Sequence, residues 1–507
     1  TSWLYVHLLG LLSFYGFRGE WLVGCALVIG ALFFCLLVVL GQRLTVSSNP
    51  NDRKRTGLLL ALHGGLLWSF LSGMEIALFG VLLCVALLAY RNESQTVNRE
   101  RGYQVTSILL VLLALVRPEA GFVALIILAA VCLRLWDAGW RIRRIAGRAA
   151  PILVAFLCPS VRTWLSTGRS SPNDLLATSL FHATAMTGAE KSAEFFENLR
   201  GVGWWLWGTP ELGTWPGEYL PPAGLLLAAF GLWALIRSDT GKGWRKWLGV
   251  GPLMAASIAV VAVSVATLSV WTLHNYRYLL PIVPFVFVLI GVGLKELSTW
   301  GRQGPALSRV LFVMILALQL GALPLWLARY ARNSGSIHAK QFGLARWLAK
   351  NTPKDTQLAV NDAGILALFS NRHTFDLVGL MNNESTIPYR LGEGALYEYL
   401  SSLPPEERFE YYAVFPKWFE LFDTFDVLGP AIVRFPDPFD PVHEKVFCYA
   451  AWRTPGIDTS PRASAVTRTD WVVVDRLDVA DLESERAHRY RVETGVEFPP
   501  EPVPFRR

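Results

Sequence analysis

A succession of long apolar segments constrains this chain more than any other feature of its sequence. A helix that crosses a bilayer needs about 20 mainly apolar residues. Of the 507 residues, 52% are hydrophobic and 17% are charged, whereas an ordinary soluble domain carries about 25% charge. The composition excludes a disordered protein and argues against a soluble enzyme. We predict about ten spans, at residues 20–41, 57–71, 74–90, 105–117, 119–136, 149–165, 222–237, 248–270, 277–294 and 309–328.

The loops between these segments give the orientation. If the spans alternate, five loops share one side of the membrane, and together they hold 19 Lys and Arg against 6 Asp and Glu. The long loop 166–220, on the opposite side, holds three basic and six acidic residues. Positive loops stay in the cytoplasm. The net charge of +7 is therefore explained by a membrane surface, and no nucleic-acid partner is predicted. The five positive loops are residues 43–55, 91–103, 134–148, 237–247 and 295–309.

The long apolar segments end at residue 328. We therefore divide the chain into a transmembrane domain, 1–328, and a soluble domain, 329–507. Residues 338–350 have the pattern of an amphipathic helix that ends before Pro353. Strand-like and helix-like runs then alternate, which predicts an α/β domain that the span count puts outside the cytoplasm. The predicted strands are 357–360, 374–378, 411–415 and 471–474, and the predicted helices are 394–402 and 417–425.

Several polar side chains lie at the predicted outer membrane face. Polar groups at membrane depth cost free energy, so their presence there indicates a structural or functional role. A carboxylate there can act as a general base or hold a cation, and arginines can bind a phosphate through two hydrogen bonds. The chemistry indicated involves an anionic ligand at the membrane surface. The candidates are Glu75 in LSGMEIALFG, Arg117 and Glu119 in LVRPEAGF, Asn173 and Asp174 in SSPND, and His274, Asn275 and Arg277 in LHNYRYLLP.

Each candidate has a structural alternative. Glu75 can cap the following helix, and Arg117 with Glu119 can be an ion pair across Pro118. Arg277 can anchor the chain at the interface together with its tyrosine neighbours. The remaining alternatives are a turn at Asn173 and Asp174, a surface position for His182, and an interfacial belt rather than sugar stacking for Trp204, Trp205, Trp207 and Trp215.

The soluble domain offers less chemistry. Asp362 follows a strand and precedes an apolar run, so capping of a helix is the default interpretation. His373, Asp376 and Asn382 follow, but their spacing does not support a Ser/His/Asp triad, and the sequence has no P-loop or dinucleotide-binding signature. Sugar binding or docking is a better hypothesis for this domain than catalysis.

At these residues the sequence resembles the GT-C superfamily of integral membrane glycosyltransferases, which take sugars from polyprenyl-phosphate carriers. SGMEIALFGVLL resembles their second outer turn, LVRPEAG an RPEG-type turn, and HNYRYLLPIVPF a late RY-x-LP element. STGRSSPNDLLATS and AVNDAGILALFSNRHTFDLVGL are similar to stretches of actinobacterial members. The order of all five motifs carries the resemblance.

The resemblance also implies a departure. In GT-C enzymes the catalytic aspartate lies in the first outer loop, and TSWLYVHLLGLLSFYG resembles the segment that follows this loop. The resemblance therefore implies an enzyme without its first helix and loop, in which Glu75 is the remaining catalytic acid. Arg117 and Arg277 are the implied ligands of the carrier phosphate, and a divalent cation, Mg or Mn, is a candidate cofactor.

The sequence thus predicts a polytopic α-helical membrane protein with a C-terminal extracytoplasmic α/β domain, located in the cell membrane. The predicted function is transfer of a sugar from a polyprenyl-phosphate donor to a glycan or lipid acceptor of the cell envelope. One alternative is a non-catalytic membrane protein that binds lipid-linked glycans. A transporter ranks third, because the charges lie at turns rather than deep in the spans.

Overall fold

A computed structural model describes most of the chain and divides it into two compact units. The first unit comprises residues 1–170 and 196–328, and the second comprises residues 171–195 and 329–507. One boundary between the units follows residue 328, and segment 171–195, which we assigned to the transmembrane domain, groups with the second unit. The described residues are 2–450 without 48, 96–102, 170, 184–185, 210–214, 240, 242, 405–406, 408, 410, 420–421, 423–427 and 440–444, together with 471–472 and 491–492.

The first unit is built from helices joined by turns and loops. The helices up to residue 170 are α1 (Trp3–Phe14), α2 (Glu20–Leu44), α3 (Pro50–Ala61), α4 (Gly64–Phe70), α5 (Ile76–Gln95), α6 (Gln104–Ala114), α7 (Pro118–Asp137) and α8 (Ile142–Thr167). After α9 (Asn173–Thr178) follow α10 (Gly188–Trp207), α11 (Gly224–Ser238), α12 (Val250–Ala266), the four-residue α13 (Leu273–Tyr276), α14 (Val283–Ser298) and α15 (Gly304–Ile337). Helices α9, α10 and α15 lie wholly or partly in segments of the second unit.

Six helical stretches of the described chain are long and apolar enough to cross a membrane, and they match six of the ten predicted spans. The chain is a polytopic helical membrane protein. Three other predicted spans, at 105–117, 222–237 and 248–270, correspond to the shorter apolar helices α6, α11 and α12. The six long stretches are Glu20–Leu44, Ile76–Gln95, Pro118–Asp137, Ile142–Thr167, Leu273–Ser298 and Gly304–Asn351.

The predicted span 57–71 is wrong as one continuous helix, because the chain breaks between α3 and α4. His63 stands at the break, and its ring nitrogen Nδ1 accepts a hydrogen bond from the Leu66 N–H at 3.0 Å. The side chain thereby caps α4 in place of the missing helical carbonyl. Two glycines, Gly64 and Gly65, follow directly and lie against the Trp326 side chain.

Close helix packing in the first unit depends on glycines. A Cβ at Gly231 in α11 would overlap the Leu289 carbonyl oxygen, and one at Gly293 in α14 would overlap the Leu227 carbonyl oxygen. The two helices therefore meet backbone to backbone, as is common where small residues face each other in membranes.

The second unit carries the α/β structure that the sequence predicts. Its five-stranded sheet has the order β2-β1-β3-β5-β4, in which β1 pairs in parallel with β2 and β3 and β5 pairs antiparallel with β3 and β4. Its helices are α16 (Gly343–Asn351), α17 (Ala363–Ser370), α18 (Thr386–Leu391) and α19 (Glu393–Ser402), and its strands are β1 (Gln357–Val360), β2 (His373–Asp376), β3 (Tyr411–Val414), β4 (Leu428–Phe435), β5 (Lys445–Ala450), β6 (Trp471–Val472) and β7 (Arg491–Val492).

The predicted strands at 357–360, 374–378 and 411–415 are confirmed as β1, β2 and β3, and the helix at 394–402 is confirmed as α19. The predicted amphipathic helix 338–350 is a π-helical turn, His338–Phe342, followed by α16. Only the start of strand 471–474 is described, as β6, and most of the predicted helix 417–425 lies outside the described residues. Strands β4 and β5 were not predicted.

Candidate functional site

The turn between α4 and α5 presents Glu75. Gly73 has φ of +71°, a left-handed conformation that favours glycine, and its carbonyl accepts a hydrogen bond from the Tyr5 hydroxyl at 2.7 Å. The Glu75 carbonyl accepts from the Phe79 N–H at 3.0 Å, so this residue begins α5. Helix α1 thus holds the turn that carries the carboxylate, through the Tyr5 hydroxyl.

Arg117 joins the Glu75 turn to the next one. Its Nη1 donates to Glu75 Oε1 at 2.7 Å, its Nη2 donates to Glu119 Oε1 at 2.9 Å and its Nε donates to Glu119 Oε2 at 3.2 Å. The Arg117 and Glu119 side chains are 10% exposed, and that of Glu75 is 20% exposed. The predicted alternative of an ion pair across Pro118 is therefore present, and it extends to Glu75.

Arg277 and Tyr278 complete the cluster. The guanidinium carbons of Arg117 and Arg277 lie 5.0 Å and 4.9 Å from the centre of the Tyr278 ring, within the range of cation–π attraction. Arg277 donates to the Tyr278 hydroxyl at 2.9 Å and approaches the Met74 sulfur at 3.8 Å. Its Nε is buried and has no hydrogen-bond partner. Among the described residues, the partners of Arg277 are all neutral.

The backbone before Arg277 is strained. His274, Asn275 and Tyr276 have φ of +51°, +58° and +54°, a left-handed conformation that costs a non-glycine residue roughly 1–2 kcal/mol. Tyr276 is 1% exposed, and its ring packs against those of Trp205, Tyr219 and Trp271. This aromatic packing holds the unusual turn and thereby fixes the direction of Arg277. Strain of this kind is concentrated at functional sites.

The structure thus brings together four of the predicted candidates, Glu75, Arg117, Glu119 and Arg277, from three separate turns. The charges of the two carboxylates and the two guanidiniums balance. The ion pairs are unevenly distributed, however, because Arg117 binds both carboxylates. The described residues include no group of three or more His, Cys, Asp or Glu side chains arranged for a metal ion. Since Glu75 and Glu119 already share a guanidinium, they do not form a cation site by themselves. The predicted Mg or Mn ion stays a prediction and enters no step below.

His274 and Asn275 lie in the strained turn, directly before Tyr276 and Arg277 in the chain. Asn173 and Asp174, by contrast, begin α9 within the second unit. The Asn173 Nδ2 donates to the Asn382 carbonyl at 3.2 Å and to Asn383 Oδ1 at 2.8 Å, and the Asp174 side chain lies outside the described part of the chain. The SSPND motif therefore belongs structurally with the C-terminal domain.

Two further predictions change. Trp205 is fully buried and packs on Tyr219 and Tyr276, which contradicts both roles predicted for it, sugar stacking and an interfacial belt. Asp362 begins α17 but makes no side-chain cap; its carboxylate instead accepts from Gln341 Nε2 at 2.7 Å. The sequence also gave no role to Tyr5 or Met74, whose contacts are made across long sequence separations.

One part of the chain matches a known protein family. Residues 331–492 match a family described as a domain of unknown function, DUF8728. No curated protein sequence matches the chain.

Solved structures similar to the chain include the oligosaccharyltransferase AglB from Archaeoglobus fulgidus, in complex with an inhibitory peptide and a dolichol-phosphate. It is 13% identical with a TM-score of 0.48, and the alignment covers 90% of this chain and 67% of AglB. ArnT from Cupriavidus metallidurans, bound to undecaprenyl phosphate, is 14% identical with a TM-score of 0.43 and coverages of 85% and 84%. Because both TM-scores are below 0.5, the proposal below rests on this chain's own residues.

Proposed function

We propose that the helical unit transfers a sugar from a polyprenyl-phosphate carrier to a glycan or lipid acceptor on the outer face of the cell membrane. The observation that carries the proposal is the uneven charge partition of the cluster. Arg277 contacts neutral partners in the part of the chain that the structure describes, while Glu75 and Glu119 share Arg117. Transfer from a sugar phosphate requires a cation that binds the phosphate and a carboxylate that accepts a proton. Arg277 and the pair of Glu75 and Glu119 supply these two groups.

Arg277 is the proposed ligand of the carrier phosphate. A guanidinium binds phosphate through charge-assisted hydrogen bonds, and the buried Nε of Arg277 still lacks an acceptor. The Tyr278 hydroxyl holds one end of the side chain, so little side-chain freedom is lost when phosphate binds. When the bond between the sugar and the phosphate breaks, the leaving polyprenyl phosphate gains negative charge, which Arg277 stabilises.

Glu75 is the proposed general base. Two carboxylates around one guanidinium leave one net negative charge, and Glu75 is the more exposed of the two. In the reaction, the Glu75 carboxylate takes the proton of the acceptor hydroxyl while that oxygen attacks the anomeric carbon. Arg117 and Glu119 act as positioning residues that fix the Glu75 carboxylate.

The test uses the full chain in lipid nanodiscs. Binding of undecaprenyl phosphate is measured by native mass spectrometry, and transfer is measured with radiolabelled polyprenyl-phosphate sugars. We expect Arg277→Ala to lose both binding and transfer, and Glu75→Gln to lose transfer by at least a hundredfold while binding is retained. The control is Arg200→Ala, which removes an exposed arginine paired only with Glu197. Normal binding of undecaprenyl phosphate by Arg277→Ala would falsify the phosphate role.

A second candidate function is binding of lipid-linked glycans without transfer. It is favoured by one observation: each carboxylate of the cluster already accepts a hydrogen bond from Arg117, so a structural role accounts for both acids. In this case the wild-type chain binds undecaprenyl phosphate through Arg277 and transfers none of the sugars. The same two assays therefore separate the two functions.

A further inference from the structure

The second unit contains a cationic cluster of its own, formed by His182, Lys191 and Arg390. The first two lie in segment 171–195, and Arg390 lies in α18. The short helix α9 packs against α18 within this unit, which brings the segment onto the C-terminal domain. The cluster shares no residue with the proposed transfer site, and its function does not depend on transfer.

Arg390 is a largely buried cation that pairs with no carboxylate among the described side chains. Its Nη2 donates to the Ser179 carbonyl at 3.2 Å, and its Nε is buried without a hydrogen-bond partner. Burial lowers the pKa of Arg390, and the Tyr389 hydroxyl is the one group that opposes this shift among the described residues. A buried charge without a counter-charge is costly, so a protein that retains one has a use for it.

His182 presents a second unmatched group to the same region. Its Nε2 lies 3.1 Å from the Ser171 hydroxyl, and its buried Nδ1 has no partner. When Ser171 donates to Nε2, the neutral ring carries its proton on Nδ1, which is then a donor without an acceptor. Burial lowers the pKa of His182, and the positive charges of Arg390 and Lys191 lower it further. Arg390 and Lys191 are therefore both close enough to His182 to disfavour a positive charge on its ring.

The surrounding backbone is held in place. Asn173 ties the start of α9 to residues 382 and 383, and the Ser179 carbonyl accepts from both Arg390 and the His182 N–H, at 3.2 Å each. The Ser171 and His182 pair does not indicate a hydrolase, because no carboxylate orients Nδ1 among the described side chains. Two fixed, unpaired donors on cationic residues indicate binding of an anion.

We propose that His182, Lys191 and Arg390 form a binding site for an oxyanion, a phosphate or carboxylate carried by a saccharide or by a lipid headgroup. The Arg390 guanidinium supplies a charge-assisted hydrogen bond, His182 Nδ1 supplies a second donor, and Lys191 adds positive charge at the rim. An oxyanion compensates the positive charges of Arg390 and Lys191 and satisfies the unpaired donors of Arg390 and His182.

The experiment follows hydrogen exchange by mass spectrometry in the full chain, in nanodiscs of neutral phosphatidylcholine. The probes are inorganic phosphate, glucose 1-phosphate and glucuronate, with glucose as the neutral control. We expect the anions, and not glucose, to slow exchange in peptides that cover residues 171–182 and 386–391. A further arm replaces part of the lipid with phosphatidylglycerol. Protection by this lipid, without protection by the soluble anions, identifies a lipid headgroup as the source.

The variants are Arg390→Ala, Arg390→Lys and His182→Asn, with Lys350→Ala as a charge-matched control on an exposed position of the same unit. We expect Arg390→Ala to weaken anion binding by about tenfold to a hundredfold, Arg390→Lys and His182→Asn to weaken it less, and Lys350→Ala to leave it unchanged. His182→Asn keeps the Arg390 contacts, so it tests the site even if Arg390→Ala does not fold. The proposal is overturned if no anion or lipid slows exchange in the wild type. It is also overturned if all three variants show the same protection as the wild type.

Discussion

Arg117 in the helical unit and Arg390 in the second unit are both largely buried, but their surroundings are opposite. Arg117 donates three hydrogen bonds to the carboxylates of Glu75 and Glu119. Arg390 donates one bond to a neutral carbonyl and keeps an unpaired Nε. The comparison separates two uses of a buried cation: one that already has its acids holds a site together, and one that lacks them is available to an external anion.

The largest effect is expected where the cation has its acids. Arg117→Met should destabilise the protein by about 3–5 kcal/mol, because it leaves two mostly buried carboxylates without a counter-charge. The measurement is thermal and denaturant unfolding of the full chain in detergent. Combining Arg117→Met with Glu75→Gln and Glu119→Gln removes all three charges and should recover most of the loss. An Arg117→Met protein as stable as the wild type would show that solvent already compensates these carboxylates.

Lys445, in the second unit, is another buried cation, and the pH dependence of stability tests whether burial costs it free energy. The residue is fully buried, and its ammonium lies 3.4 Å from Asn361 Oδ1 and 4.5 Å from the centre of the Phe415 ring. Burial lowers its pKa to about 8, Asp362 and Asp376 oppose the shift, and Lys340 adds to it. Because the unfolded chain has the higher lysine pKa, it binds more protons between about pH 8 and 10.5, so stability should rise with pH across this window.

The rise should amount to about 3 kcal/mol at most, and it should disappear in Lys445→Met. The check is the difference in unfolding free energy between wild type and variant at pH 7.5, 9 and 10.5. This difference cancels the titration of other groups. Equal slopes in the two proteins would mean that Lys445 keeps an ordinary pKa and a hydrated ammonium.

Two substitutions at Tyr278 separate the contribution of its ring to stability from that of its hydroxyl. Tyr278→Leu removes the ring that both guanidiniums contact and should cost about 1–2 kcal/mol. Tyr278→Phe keeps the ring and loses only the hydrogen bond from Arg277, so it should cost about 1 kcal/mol or less. Unfolding of both variants under the same conditions decides whether the ring or the hydroxyl fixes Arg277.

Much of the helical cluster was predictable, because charged residues at turns between apolar segments are conspicuous. The sequence indicated Glu75, Arg117, Glu119 and Arg277 as neighbours at one face. It could not indicate that Arg117 takes both carboxylates, since this depends on side-chain geometry across 42 residues of sequence. The role of Tyr5 was equally hidden, because one tyrosine in an apolar aromatic segment carries no signal for a contact 68 residues away.

The second unit was less predictable because its order depends on non-local contacts. Strands β1 and β3 were visible as apolar runs, but the longer β4 contains Pro430 and has register shifts against β5, and Pro and Gly weaken a strand signal. Capping by Asp362 failed because Gln341, 21 residues earlier, offers its amide instead. The association of segment 171–195 with residues after 328 has no local signature, so the cluster around Arg390 was visible only in part, through Asn173 and His182.

The smallest effect is expected where the cation lacks acids. Arg390→Met leaves no described carboxylate without its partner, and the Ser179 carbonyl keeps its hydrogen bond from the His182 N–H. The stability should therefore change by no more than about 1 kcal/mol in either direction. Since Arg390 lowers the pKa of His182, the same variant should raise that pKa, which the pH dependence of His182 modification by diethylpyrocarbonate reports. A loss comparable with that of Arg117→Met would make Arg390 a structural residue and remove the contrast between the two clusters.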